Sequence, residues 1–212
     1  MKPFKNHRGL LAPLDRANVD TDQIIAKQFL KSIARTGFGP QLFYDWRYAS
    51  DGKPNAQFSL NFPRYKNASI LVTRNNFGCG SSREHAVWAI VQYGFRAIIA
   101  PWRMSQGSRV PAFADIFRNN SFKNSLLTVE LSEPEVDKIF EMVERIPGLE
   151  ATVNVDEQRV VLHTSEEISF HFELDSAVKE RLLHGLDDIS ITLKEEAGLK
   201  AFEAKSHSQM KW

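Results

Sequence analysis

The chain has 212 residues, and its 27 Lys+Arg against 26 Asp+Glu leave a formal net charge of +1. That near-balance argues against a strongly electrostatic nucleic-acid binder and against a polybasic membrane patch, while 42% hydrophobic and 25% charged residues fit a soluble globular protein of one domain, or one domain with an appendage. The single cysteine, Cys79, excludes an internal disulfide; with no apolar core in the opening MKPFKNHRGLLAPLDR, it predicts a cytoplasmic protein. The most apolar stretch, 85–102, is broken by Gln92, Gly94 and Arg96, short of the roughly 20 apolar residues a spanning helix needs.

Taken in chain order, residues 8–30 read as irregular, then helical from about Asp22 to Ser32. Residues 36–67 are rich in Gly, Pro, Asn and aromatics without a period, and read as a long connection of the kind that carries function. Ser69–Thr73 is an apolar run of strand length, a glycine-bearing loop follows, and a helix is predicted from Ser81 or Ser82 to Tyr93, where Gly94 stops it. Phe95–Ala100 is the next strand. Strand, turn, helix, strand is a βαβ unit with parallel strands and a right-handed crossover. Ala112–Asn119 reads as a short helix, Ser125–Leu131 as a strand and Glu133–Arg145 as a helix. Val153–Val155 and Val160–His163 form a predicted hairpin, and Ile168–Leu174 alternates as a half-buried strand should. Asp175 or Ser176 can cap a last helix that breaks and restarts near Gly185–Asp188, with fraying from Lys205. The expected fold is α/β: a mostly parallel sheet core over residues 1–131, and a hairpin and helix extension over 132–212 packed on it as one structural unit.

The segment Gly78-Cys79-Gly80-Ser81-Ser82-Arg83-Glu84-His85 carries the chemical signal. It joins a strand's carboxyl end to a helix start, where ligands of open α/β sheets sit. Unpaired N–H groups and the helix dipole favour an anion there, the glycines permit close backbone approach, and Arg83 adds a permanent cation with a fork suited to a carboxylate. Ser81-x-x-Glu84 also has capping-box form, and from local sequence alone a cap is the favoured role for Ser81. The dinucleotide pattern G-x-G-x-x-G fails because Arg83 stands where glycine is required, and neither a P-loop nor a G-x-S-x-G elbow occurs.

Those residues are similar to the signature of the aconitase superfamily's swivelling domain. Asn18-Val19-Asp20-Thr21-Asp22-Gln23-Ile24-Ile25, Lys27-Gln28-Phe29-Leu30, Asn76-Phe77-Gly78-Cys79-Gly80 and Phe113-Ala114-Asp115-Ile116-Phe117 narrow the resemblance to the bacterial small-subunit branch of the 3-isopropylmalate dehydratases. Phe172-Glu173-Leu174-Asp175 and Gly185-Leu186-Asp187-Asp188-Ile189 extend it to the tail. The resemblance implies a hydro-lyase that interconverts 2- and 3-isopropylmalate through an unsaturated diacid in leucine biosynthesis. It implies a heterodimer with a large subunit carrying a [4Fe–4S] cluster, and a chain inactive alone. Ser81 is then the candidate base, Ser82 its hydrogen-bonding neighbour and Arg83 the substrate clamp, with Gly80 beside them. A bare serine is a weak base, so the helix start and Arg83 must favour its ionised form. One cysteine cannot ligate a cluster, so the composition itself demands a partner under this resemblance. A related 2-hydroxy diacid dehydratase, citramalate- or dimethylmalate-like, and a non-catalytic anion-binding module are the alternatives.

Other residues carry weaker signals. Asp20-Thr21-Asp22 lacks calcium-loop spacing and is explained as well by an N-cap cluster; the resemblance keeps Asp20 and Thr21 as substrate-binding candidates. Arg35 and the Thr36–Phe43 loop are candidates for reading the substrate's side chain. Cys79 reads as a small, partly buried side chain rather than a reactive thiol, and His85 is equally placed to pack or to contact substrate. The histidines at 7, 85, 163, 171, 184 and 207 show no paired ligand spacing, and no metal is assigned to this chain. Trp102–Pro111 stands as an insertion relative to the family, predicted to form a flap or an altered subunit contact.

Overall fold

In the computed structural model, which describes residues 2–31, 34–80, 83–166 and 168–186, Asn6–Leu14 forms a nine-residue strand, β1, in the middle of the sheet. This corrects the irregular reading of that segment. Pro13 disguises the strand, since proline cannot donate to a ladder. Its carbonyl accepts from the Ser59 hydroxyl at 2.6 Å. N–H and C=O of one strand residue point the same way, so the missing N–H lies on the side met by a loop rather than by a strand.

The chain then makes two short helices, α1 (Thr21–Ile24) and α2 (Tyr44–Arg47). The predicted long connection around α2 is threaded by short 3-10 turns and buries Phe38, Phe43, Phe58, Leu60 and Tyr65. Its aromatics are core rather than loop decoration. β2 (Ile70–Thr73) is buried at every residue, as expected for a strand covered on both faces of a parallel sheet. It leads through α3 (Glu84–Tyr93) to β3 (Ala97–Ser105). β2 and β3 are parallel neighbours in the register Ile70↔Ala97, the βαβ unit expected from sequence. Helix α3 turns Ala86, Val87, Ala89 and Ile90 inward.

β3 continues to Ser105 and returns as β4 (Ser108–Val110) through Gln106 and Gly107, whose φ values are 50° and 78°. Two positive φ angles are what a two-residue hairpin turn requires. The segment expected to be an insertion, Trp102–Pro111, is built around a hairpin. The Arg109 guanidinium lies 4.7 Å from the Trp102 ring centroid and 3.0 Å from Glu130 Oε2, while Met104, its partner across the hairpin, is 60% exposed.

α4 (Asp115–Lys123) precedes β5 (Leu127–Ser132), which pairs parallel with β3. The parallel half of the sheet thus runs β5-β3-β2-β1. α5 (Glu133–Arg145) packs Val136, Ile139, Phe140 and Val143 inward, one helical stripe. Its start is a full capping box: Glu135 Oε2 accepts from the Ser132 N–H at 2.8 Å, and the Ser132 side chain accepts from the Glu135 backbone. β6 (Glu150–Asn154), β7 (Arg159–Leu162) and β8 (Ile168–His171) follow as an antiparallel meander. β6 pairs with the first half of β1, Asn6↔Asn154 to Leu10↔Glu150, and β2 with its second half. α6 (Ser176–His184) is capped by Asp175, whose Oδ1 accepts from Ala177 and Val178, and ends at Gly185 in the left-handed conformation. The restart expected after it lies outside the described residues.

Ser132→Ala removes half of the α5 box, and an N-cap of this kind contributes about 1 kcal/mol. Urea unfolding should show a lower midpoint with an unchanged slope; an unchanged midpoint would mean that the box carries no stability.

Candidate active site at the glycine-rich turn

The site is built where the chain leaves two neighbouring parallel strands, β1 and β2. Their loops are stitched by backbone hydrogen bonds: Asn18 N–H to Asn75 O at 3.0 Å, Gly78 N–H to Val19 O at 2.7 Å, and Thr21 N–H to Cys79 O at 2.9 Å. Asp20 and Cys79 form an isolated parallel bridge. The stitching brings 18–21 against 75–80, so residues remote in sequence share one wall.

Asp20 is an N-cap, as one of the two sequence readings had it. Its Oδ1 accepts from the N–H groups of Asp22 (2.7 Å) and Gln23 (2.9 Å), and Gln23 Oε1 accepts from the Asp20 N–H at 3.0 Å. Thr21, 2% exposed, follows it. Gly78 and Gly80 have φ of +75° and +90°. At Gly78 a Cβ would collide with the Phe117 ring, and at Gly80 it would lie 3.4 Å from Asp20 Cβ and 3.8 Å from Thr21 Oγ1. Glycine is required at Gly78 for close approach as well as for its dihedral.

A cavity of about 270 Å³ opens here, lined by Thr21, Gly78, Gly80, Arg83 and residues 114–117 at the start of α4. Phe113 is fixed beneath it by Phe77, whose N–H bonds Ala112 O at 2.9 Å while Ala114 N–H bonds Phe77 O at 3.1 Å. Those bonds hold 112–114 extended, which is why α4 starts at Asp115 and not at the predicted Ala112. Ile116, on the cavity rim, is 53% exposed.

Arg83 is the N-cap of α3, with extended φ −126° and ψ 110° and no side-chain cap. The predicted helix start at Ser81 or Ser82 is therefore corrected to Glu84; the capping-box reading of Ser81 lies outside the described residues. Glu84 opens the helix and its Oε1 accepts from Asn124 Nδ2 at 3.0 Å. The extended Arg83 side chain runs to α1 and forms an ion pair with Asp22. Ser81 and Ser82 lie outside the described residues; in the chain they connect two residues of the cavity wall.

Arg35 is not brought to this cavity. Its guanidinium lies 5.8 Å from the Trp88 ring centroid, its carbonyl accepts from Gln92 Nε2 at 2.8 Å, and it lines a separate cavity of about 280 Å³ on the flank of α3. His85 packs its ring edge-on to Phe38 at 5.3 Å and against Trp88 at 4.8 Å, a structural role. Burial, and secondarily the Asp20 carboxylate, push the Cys79 thiol above its ordinary pKa. Among the described residues no group of three or more His, Cys, Asp or Glu side chains could hold a metal ion. Sequence reasoning passed over Asp22. Its signal was slight: with Asp20 satisfying the cap, the second carboxylate of Asp20-Thr21-Asp22 is left to side-chain partners, Lys27 and Arg83.

The chain matches the aconitase C-terminal domain family over residues 1–134. It is 56% identical, over 99% of its own length and 98% of the relative's, to a 3-isopropylmalate dehydratase small subunit of Desulforapulum autotrophicum. Its fold is similar to the crystal structure of a 3-isopropylmalate dehydratase from Methanocaldococcus jannaschii, with TM-score 0.60, 22% identity, and coverage of 93% of this chain and 99% of that one.

Two outcomes follow from this geometry. Gly78→Ala adds a steric clash to a left-handed residue and should lower stability by about 2–4 kcal/mol, read as a fall in unfolding midpoint; a shift under half a unit of that scale would mean Phe117 can move aside. A raised thiol pKa leaves less thiolate near neutral pH. Iodoacetamide should therefore label Cys79 more slowly than a free cysteine peptide at about pH 7.5, with the gap closing as pH rises; equal rates at neutral pH would contradict the assignment.

Proposed function

We propose, from the premise that this chain belongs to the 3-isopropylmalate dehydratase small-subunit family of the aconitase superfamily, that the cavity at its glycine-rich turn is this subunit's half of the active site. The family's reaction interconverts 2- and 3-isopropylmalate by loss and return of water in leucine biosynthesis, and the chain is a subunit of that hydro-lyase. The observation that supports the site is the meeting of Gly80, Arg83 and Thr21 on one cavity wall.

Ser81 is the base that takes the carbon-bound proton. The positive start of α3 and the Arg83 guanidinium favour the alkoxide it needs, and Ser82 supports it by hydrogen bonding. Arg83 clamps a substrate carboxylate. Gly80, Asp20 and Thr21 shape the wall beside it, Asp20 through the cap it gives α1. Arg35, held against Trp88, lines a different cavity and is left out of this site.

A [4Fe–4S] cluster does not fit this chain: its one thiol is half-buried and held protonated, and a cluster takes three or four thiolates. We assign the cluster to an iron–sulfur large subunit with which the chain forms a heterodimer in the cytoplasm. Departure of the substrate hydroxyl is that partner's half of the reaction. Within this chain, residues 1–131 act as the swivelling core and the stretch that follows as an extension, the two joined through the β1–β6 pairing of one sheet.

The test is turnover of 2-isopropylmalate by the chain reconstituted with its large subunit. Ser81→Ala should reduce kcat by on the order of 10²–10⁴ while assembly is retained. Arg83→Lys should raise KM despite its retained charge, because the planar fork is lost. Unchanged turnover in Ser81→Ala would favour the non-catalytic module.

A further inference from the structure

We propose that Asp22 is the positioning residue for Arg83, the group that aims the guanidinium into the cavity; this rests on the assignment of Arg83 as the substrate clamp. Asp22 stands on α1 and Arg83 just ahead of α3, and Asp22 Oδ1 pairs with Arg83 Nη1. Both atoms are shielded from solvent, and the two side chains are only 33% and 22% exposed. An ion pair so placed is screened less than one on the open surface.

Three features mark the contact as more than a tether. First, the carboxylate of Asp22 is not consumed by the helix it sits on, because Asp20 already accepts from the N–H groups of Asp22 and Gln23. Second, a guanidinium is a rigid planar fork with five N–H donors. Tying Nη1 to a carboxylate on one side fixes the direction of the rest of the fork, and Arg83 lines the cavity. Third, the charge is arranged to survive the pairing. Asp22 Oδ2 also lies 3.2 Å from Lys27 Nζ, so the carboxylate is shared between two cations and Arg83 keeps part of its charge for a ligand.

The experiment is steady-state kinetics of the reconstituted complex for Asp22→Ala, Asp22→Glu, Arg83→Ala and the double variant Asp22→Ala/Arg83→Ala, with subunit affinity and thermal midpoint measured alongside. Loss of aim should lower kcat/KM by about 10- to 100-fold, mainly through KM, with subunit affinity unchanged. Asp22→Glu, which restores a carboxylate, should recover most of the loss. In the Arg83→Ala background, Asp22→Ala should cost nothing further, because its effect passes through the guanidinium. Additive losses, or an unchanged KM in Asp22→Ala while Arg83→Ala raises it, would overturn the positioning role alone. An unchanged KM in Arg83→Ala would instead overturn the clamp assignment and this inference with it. Should Asp22→Ala not fold, Asp22→Asn, which keeps the shape and loses the charge, is judged by the same outcomes.

Discussion

The backbone hydrogen bonds between the loop after β1 and the loop after β2 are the constraint on which the site depends. Gly78 N–H to Val19 O and Thr21 N–H to Cys79 O act as a one-rung continuation of the parallel sheet beyond the ends of its strands. They place α1 beside the turn that opens α3. The Asp20 cap, the Asp22–Arg83 pair and the Thr21 wall all follow from that juxtaposition. The left-handed glycines are its local requirement: with a side chain at Gly78 the turn and the Phe117 ring could not occupy the same space.

The same turn is supported from below by rings. Phe77, Phe113 and Phe117 stand with Phe77 edge-on to both others at 6.4 Å and 5.3 Å and Phe113 stacked on Phe117 at 6.4 Å. The rings join the glycine-rich turn to the start of α4, so the two walls of the cavity rest on one packed cluster. Packed support of this kind suits a site that holds a ligand in one orientation.

The parts of this fold legible in sequence were those with a strong local signal. The βαβ unit, the α5 stripe with its Ser132–Glu135 box, the 153–163 hairpin and the Gly185 stop each rest on a period or a cap within a few residues. β1 was hidden because Pro13 breaks the usual composition of a central strand, and only the position of Ser59 in three dimensions shows that its missing donor faces no ladder. The helix start at Glu84 was misplaced because serine is the better cap by local chemistry; the extended Arg83 answers instead to Asp22, a contact between distant segments. For the same reason the glycine-serine motif was visible while the Asp22 carboxylate that meets Arg83 was not, and Arg35 was grouped with residues from which α3 separates it.

β1 also has a consequence for how the protein is made. Its second half is completed by β2, but its first half pairs with β6, encoded near residue 150. A chain emerging from the ribosome therefore carries an open strand edge through most of its synthesis, the kind of edge that invites association with other chains.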